Sequence, residues 1–260
     1  MSSATPILKF VRPLFERRPF ADRTLCHFLR QRMALPGLLL SDLFPDIDQQ
    51  PVTLQKMPRG SWSTPAQDVV LLLKLVRCAK PKRLMEIGSF RGYTALYFAQ
   101  HVEPDASIVT VDRYPEHGEA YRQTPEASRI ERRVGEMSSA LFANDPPASF
   151  DLIFIDADHA YQGVRRDTEL CLPLVSPNGY IVWHDYANWG YFSGYNGVPE
   201  YLCELSKQLP LAHVQGSDLA IYSPAWSVAG SPAQSGYRRA IGKAPLSEVG
   251  LDPWSSVALR

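Results

Sequence analysis

The chain has 260 residues, enough for one sizeable hydrophobic core, and its 27 Lys and Arg balance its 27 Asp and Glu. A net charge of zero disfavours an extended nucleic-acid surface and favours a small-molecule partner. The four cysteines form no C-x-x-C pair, and the chain has neither an apolar signal segment nor a run of about 18 apolar residues. We therefore expect a cytoplasmic protein without a membrane or nucleic-acid partner.

Residues 1–60 are predicted to form an N-terminal, partly helical extension. Apolar residues recur at helical spacing before Pro36-Gly37 stops the pattern, at Leu25, Phe28, Leu29 and Met33. Such a segment can cap a ligand site or form the surface of a homo-oligomer, and it can equally pack on the outside of the sheet. Its excess of arginine is also typical of an organelle transit segment, although Pro13 and Pro19 would interrupt the amphipathic helix.

Residues 61–224 alternate helices and strands and are predicted to form the main domain. Thr64 and Pro65 have the residue types of an N-cap and a first helical position. Strands are predicted at 83–87, 107–112, 129–134, 150–156, 179–184, 211–215 and 218–223, and helices at 92–101, 115–122, 137–143, 160–172 and 197–208. This order predicts an α/β fold with a doubly wound, Rossmann-like, seven-stranded and mostly parallel sheet. Gly216-Ser217 can form a hairpin, which would make the last strand antiparallel.

Residues 225–260 differ in composition from the domain before them. They are rich in Pro, Ser, Gly and Ala, and no long periodic pattern returns. An irregular C-terminal tail is therefore predicted. Trp226 and Trp254 could dock on the body or on a partner subunit, with a loosely held terminus as the alternative.

The strand predicted at 83–87 runs through a glycine-containing turn into a helix. Its pattern is Glu86-x-Gly88-x-x-x-Gly92, with Phe90 where a dinucleotide fingerprint has its second glycine, so a pyrophosphate would be poorly bound. Gly88 allows a tight exit from the strand, and Gly92 is expected to let the helix approach a ligand. Asp112 ends the next strand, where an α/β unit places the carboxylate that accepts hydrogen bonds from ribose hydroxyls. The pattern favours an adenosyl ligand without a phosphate.

This segment resembles the class I S-adenosylmethionine (SAM) dependent methyltransferases, in particular the O-methyltransferase variant E-x-G-x-x-x-G. The resemblance implies a SAM site that includes Glu86, Gly88, Ser89, Gly92 and Asp112. Gly135-Glu136-Met137-Ser138 resembles the family segment that contacts adenine, with Met137 as an apolar wall. Ser138 is either a polar contact to the ligand or a helix N-cap.

Polar residues also gather after two strands further along the chain. Asp156, Asp158 and His159 follow the strand predicted at 150–156, and His184-Asp185 follows the next one. In strand geometry Asp156 and Asp158 point to the same side, so their carboxylates would repel each other unless a cation or a proton lies between them.

These two segments resemble a methyltransferase family that includes sugar O-methyltransferases, with strand endings D-x-D-H and E-D or D-D. The resemblance implies that Asp156 and Asp185 are metal ligands, that His184 stands at a third ligand position, and that Asp158 or His159 is the general base; Asp156 also belongs to the predicted SAM site. Metal-using members often have a carboxylate where His184 stands, and Mg²⁺ prefers oxygen ligands. Either Mg²⁺ or another divalent cation is bound here, or His184 and Asp185 form a hydrogen-bonded pair without an ion. His159 has an alternative role at the start of the following helix.

The resemblance implies a SAM-dependent methyltransferase that methylates a hydroxyl of a small, natural-product or sugar-like molecule by in-line transfer. The loop 186–195 is rich in aromatic residues and glycine, and it could hold the acceptor or simply form a hydrophobic plug. One alternative is a protein that uses SAM itself as the substrate, and another is an inactive SAM-binding module. An NAD-dependent oxidoreductase is disfavoured by the missing middle glycine.

Overall fold

A computed structural model describes residues 35–55, 63–187 and 197–243 of the chain. Its strands are β1 (Gly37–Leu38), β2 (Arg83–Ile87), β3 (Ser107–Asp112), β4 (Ile130–Val134), β5 (Phe150–Ile155), β6 (Val175–Trp183), β7 (Ala212–Val214) and β8 (Ala220–Tyr222). Its α-helices are α1 (Leu40–Leu43), α2 (Ala66–Ala79), α3 (Tyr93–His101), α4 (Glu119–Arg122), α5 (Tyr161–Cys171), α6 (Val198–Leu205) and α7 (Pro232–Lys243). Short 3-10 helices occupy Ile47–Gln49, Pro125–Arg129, Ser139–Phe142 and Pro224–Ser227. The helical pattern before residue 34, most of the aromatic loop and Trp254 lie outside the described residues.

The strands form one sheet in the order β1-β7-β8-β6-β5-β2-β3-β4. Strand β8 is antiparallel to its neighbours β6 and β7, and the remaining pairs are parallel. The predicted α/β class and the antiparallel last strand are therefore confirmed. The chain order reverses between β2 and β5, and doubly wound sheets bind ligands in the crevice beyond the strand ends at such a point.

The sheet has one strand more than the seven predicted. Residues 37–38, assigned from the sequence to the extension, pair in parallel with β7, and Leu38 is fully buried. A strand of two residues is too short to produce an alternating pattern, which is why sequence periodicity missed it. The described part of the extension is thus built into the domain.

Apolar layers cover both faces of the sheet. One layer packs α2, α3 and α7 against alternate strand residues such as Leu84, Ile108 and Phe154. The other packs α5 and α6 against the intervening residues, including Met85 and Ile153. Among the described residues, no helix combines the length and the apolarity needed to cross a bilayer.

The prediction of an irregular tail is wrong for residues 232–243, which form α7. Its buried residues Tyr237 and Ala240 join the core, and the Tyr237 ring stacks on Trp226 with centroids 4.6 Å apart. The Tyr237 hydroxyl donates a hydrogen bond to the Leu211 carbonyl at 2.9 Å. The helix was missed because its apolar stripe is narrow and is interrupted by serine and glycine.

We expect Tyr237→Ala to lower the free energy of unfolding by about 3–5 kcal/mol, because it removes a buried aromatic ring and leaves a cavity beside Trp226. Denaturant unfolding measures the change, with Arg238→Ala, an exposed position on the same helix, as the control. Equal stability of the two variants would show that α7 is not docked.

Candidate active site

The turn after β2 is shaped by close backbone contacts. Gly88 has φ 96°, and a Cβ there would clash with the carbonyl oxygen of Asp156. Phe90 adopts the left-handed conformation with φ 43°. A Cβ on Gly92 would meet the Tyr121 ring at 2.7 Å, so protein contacts alone already favour glycine at this position. Gly92 nevertheless forms part of a cavity wall.

A cavity of about 360 Å³ opens at the strand ends, at the point where the chain order reverses. Its walls include nine of the predicted site residues: Gly88, Ser89, Gly92, Asp112, Glu136, Met137, Asp156, Asp158 and His159. Four predicted residues, Glu86, Ser138, His184 and Asp185, do not line it.

Asp112 lies directly beside the turn. Its Oδ2 accepts a hydrogen bond from the Phe90 backbone N–H at 2.8 Å, and its Oδ1 accepts one from the Tyr114 N–H at 2.9 Å. The His117 Nδ1 is 2.9 Å from Oδ2. These contacts orient the carboxylate at the cavity wall shared with the turn.

Sequence analysis missed the aromatic rings around Asp112. The His117 ring makes edge contacts with Phe90 and Tyr114, with centroids 5.3 and 5.0 Å away. Phe90 and Tyr114 are exposed and line the cavity. Tyr114 and His117 follow the predicted ribose-binding Asp112 closely in the sequence, and this proximity is the signal for aromatic contacts at the site.

Glu86 is fully buried beneath the turn. Its Oε2 accepts a hydrogen bond from the Thr110 hydroxyl at 2.6 Å, while its Oε1 has no hydrogen-bond partner among the described residues. Burial outweighs the Thr110 hydrogen bond and raises the pKa of Glu86 to about 8. The structure therefore places this predicted SAM residue behind the cavity wall.

The segment predicted to contact adenine forms another part of the wall. Glu136 and Met137 line the cavity, and Glu136 is an exposed residue 3.8 Å from the Arg113 guanidinium. Ser138 does not line it and precedes the 3-10 helix Ser139–Phe142, where an α-helix was predicted. Its side chain makes no capping hydrogen bond.

Two imidazoles and two carboxylates of the predicted site residues form one cluster, which consists of His159, His184, Asp156 and Asp185. His159 Nε2 is 2.5 Å from Asp185 Oδ2 and 3.8 Å from Asp156 Oδ1. His184 Nδ1 is 3.4 Å from Asp156 Oδ1 and 3.3 Å from Asp185 Oδ2. Asp185 has φ 59°, a left-handed conformation that is unusual for a residue other than glycine and that recurs at functional sites.

The cluster shifts the pKa values of its members. Burial disfavours the imidazolium of His159, but hydrogen bonds with Asp156 and Asp185 outweigh burial and raise its pKa to about 10. Burial likewise opposes the charge on Asp185, yet both imidazoles hold its pKa well below the usual range.

Asp158 lies apart from this cluster, because β5 ends at Ile155 and strand alternation does not extend to it. Its Oδ1 accepts a hydrogen bond from the Ala160 N–H at 2.9 Å, just before α5, and its Oδ2 is 4.0 Å from the Arg166 guanidinium. The carboxylate that faces Asp156 is Asp185 rather than the predicted Asp158.

Two further residues reach the cluster from the start of α2. Thr64, predicted as the N-cap, is not the cap; its hydroxyl donates a hydrogen bond to Asp156 Oδ2 at 3.2 Å, and Pro65 holds the N-cap position. Asp68, in the first turn of the helix, is buried with its Oδ2 3.0 Å from His184 Nε2. No sequence signal marks either residue, because both contacts span about a hundred positions of the chain.

Comparisons with known proteins agree with this geometry. Residues 85–186 match a family model described as a methyltransferase domain. Over this stretch the chain is similar to methyltransferase domains. The matched stretch begins within β2 and ends just after Asp185, so it contains the turn after β2, Asp112 and the residues after β5 and β6.

Two curated relatives are similar to parts of this chain. The chain is 25% identical over 173 residues to catechol O-methyltransferase domain-containing protein 1 of Mus musculus, covering 64% of this chain and 61% of that protein. It is 33% identical over 109 residues to a catechol O-methyltransferase of Mycobacterium tuberculosis, covering 40% of this chain and 47% of that protein. The matches thus span about half to three fifths of these relatives.

A solved structure shares the fold of most of this chain. It is the O-methyltransferase TomG of Streptomyces achromogenes, with TM-score 0.54 and 22% sequence identity, covering 72% of this chain and 97% of that one. At this identity the likeness concerns the fold.

We expect Gly88→Ala to lower the free energy of unfolding by about 1–3 kcal/mol more than Gly230→Ala, because the new methyl group collides with the Asp156 backbone. Gly230 is a matched control, since its φ of 76° is also positive but no atom lies within 4 Å of an added Cβ. Denaturant unfolding compares the two, and a smaller loss at position 88 would contradict the close contact.

The raised pKa of Glu86 predicts a pH dependence of stability. Because the folded protein holds this proton up to about pH 8 whereas the unfolded chain releases it near 4.5, the free energy of unfolding should fall as pH rises through that interval. Glu86→Gln keeps an acceptor for Thr110 and should flatten the slope. Denaturant titrations at several pH values test this, and an unchanged slope in the variant would assign the dependence to other groups.

Proposed function

We propose that this chain is a SAM-dependent methyltransferase that transfers a methyl group to an oxygen atom of a small molecule. The observation that carries the proposal is a single cavity lined both by Asp112 and the Gly88 turn and by Asp156, Asp158 and His159. A ligand with a ribose at one end and a reactive centre at the other fits these two sets of lining residues.

The residues around Asp112 and the turn after β2 suit SAM. Asp112 offers both carboxylate oxygens at the cavity wall for ribose hydroxyls, and the Phe90 and Tyr114 N–H groups keep it in place. Met137 adds an apolar surface for adenine. When bound there, SAM supplies an activated methyl group on a sulfonium centre.

The lining residues that follow β5 suit an acceptor hydroxyl. Asp158 and His159, the predicted general bases, both line the cavity, and Asp185 orients the His159 ring. Because Asp156 and Asp185 raise the pKa of His159 to about 10, its ring is protonated near neutral pH, and the Asp158 carboxylate is the better candidate for the base. Holding the acceptor oxygen in line with the methyl group is the main task of the protein in such a displacement. Two relatives are named as catechol O-methyltransferase types, which supports oxygen as the target. TomG, which shares the fold, was solved in complex with SAM, which supports SAM as the cofactor.

We further propose that Asp156, His184 and Asp185 hold a divalent cation. One ligand atom from each lies within 4.8 Å of the others. His184 Nδ1 is buried and makes no hydrogen bond with the described residues, although Asp156 Oδ1 and Asp185 Oδ2 lie 3.4 and 3.3 Å away, and this arrangement suits the binding of a cation between the three atoms. A natural-product or sugar-like acceptor, a homo-oligomer and a cytoplasmic location stay predictions.

Calorimetry with S-adenosylhomocysteine (SAH) should show saturable binding that Asp112→Ala weakens about 10- to 100-fold, because a charged acceptor for ribose hydroxyls is lost. Asp105→Ala, at an exposed aspartate paired with Lys82, should leave the affinity unchanged. Absence of SAH binding to the unmodified protein would end the proposal.

Product masses separate the alternatives. Incubation with SAM and a pool of hydroxylated acceptors should yield a methylated acceptor together with SAH. Methylthioadenosine without a methylated acceptor would instead indicate that SAM is the substrate, and binding of SAM with no product would indicate an inactive binding module. Preferential binding of NADH would favour the oxidoreductase.

A further inference from the structure

The His184 ring is fixed by contacts on both of its nitrogen atoms. Nε2 faces Asp68 Oδ2 at 3.0 Å, and Nδ1 faces Asp156 and Asp185. The side chain is only 5% exposed, so bulk water has little access to either nitrogen atom. Phe154 packs against the ring edge, with centroids 6.4 Å apart. The imidazole is thus held in one orientation.

Asp68 determines which nitrogen of His184 can donate. Its Oδ1 accepts the Asp218 backbone N–H at 3.2 Å, which leaves Oδ2 to accept a hydrogen bond from Nε2–H. In the neutral ring, Nδ1 then carries a lone pair that points toward two carboxylate oxygens. Three electron-rich atoms facing one another require a positive charge between them, which is either a proton or a metal ion.

A buried carboxylate that receives the second N–H of a histidine is the usual arrangement behind a metal-binding imidazole. The donor set in front of it is one nitrogen and two carboxylate oxygens. Mg²⁺ favours oxygen ligands in an octahedral shell, whereas imidazole suits Fe²⁺, Co²⁺ and Zn²⁺, which also bind more strongly to mixed N/O sites.

From this arrangement we propose that Asp68 is a positioning residue for His184, and that the resulting site of Asp156, His184 and Asp185 selects a divalent ion of the Fe²⁺, Co²⁺ or Zn²⁺ class over Mg²⁺. This inference rests on the cation site of the proposed function and adds the ion class and the residue that imposes it.

Co²⁺ is the probe for the test, because its visible absorption reports a nitrogen ligand independently of activity. Titration of the full chain, stripped of metal, should show Co²⁺ binding at least about tenfold more tightly than Mg²⁺ in competition calorimetry. Asp68→Ala should weaken Co²⁺ binding about 10- to 100-fold and alter the absorption spectrum. His184→Asp, which makes all three ligands carboxylates, should shift the preference toward Mg²⁺.

Two controls keep the outcome interpretable. Asp105→Ala should leave Co²⁺ binding unchanged, and Asp68→Asn, similar in shape to aspartate, replaces Asp68→Ala if the alanine variant does not fold. Three outcomes would overturn the inference. The first is that Mg²⁺ binds as tightly as Co²⁺ or more tightly, and the second is that the Asp68 variant keeps the Co²⁺ affinity and spectrum. The third is that no metal binds because a proton alone occupies the site. SAH calorimetry on the same samples distinguishes the two proposals, since a metal preference without SAH binding would refute the methyltransferase and leave the ion assignment standing.

Discussion

The structure depends on the contact between the ends of β2 and β5. The Asp156 N–H donates a hydrogen bond to the Ile87 carbonyl at 2.8 Å, and Gly88 lies so close to the Asp156 backbone that no side chain fits between them. This contact brings two different kinds of chemistry to one cavity. The β2 side contributes the turn and, through β3, the Asp112 carboxylate, whereas the β5 side contributes Asp156, Asp158 and His159.

The charges behind the cavity depend on one another. Four carboxylates, Asp68, Asp156, Asp185 and Asp218, surround two imidazoles, and burial together with Asp68 raises the pKa of Asp218 to about 7. A buried excess of negative charge is costly unless protons or cations compensate it. The same excess favours a ligand with a positive centre beside Asp156, and this is the property that a sulfonium cofactor and a divalent ion share.

Local patterns predicted the parts of the fold and site that depend on neighbouring residues. The strand-turn-helix at 83–101, the Gly216-Ser217 hairpin and the acids after β5 follow from periodicity and turn chemistry. The rest arises from tertiary contacts. Asp68 and Thr64 have the residue types of an ordinary helix start, and only the packing of α2 against the ends of β5 and β6 brings them to the site. The close contact at Gly92 involves the Tyr121 ring, which is distant in the sequence. Strand β1 forms because it pairs with β7.

A crystal structure of the protein with SAH measures most directly whether Asp112 and the residues after β5 bind one molecule. The account predicts that both ribose hydroxyls donate hydrogen bonds to the Asp112 carboxylate while the sulfur atom faces the side of Asp156 and His159. A ligand whose ribose lies away from Asp112, or one that binds outside this cavity, would contradict it.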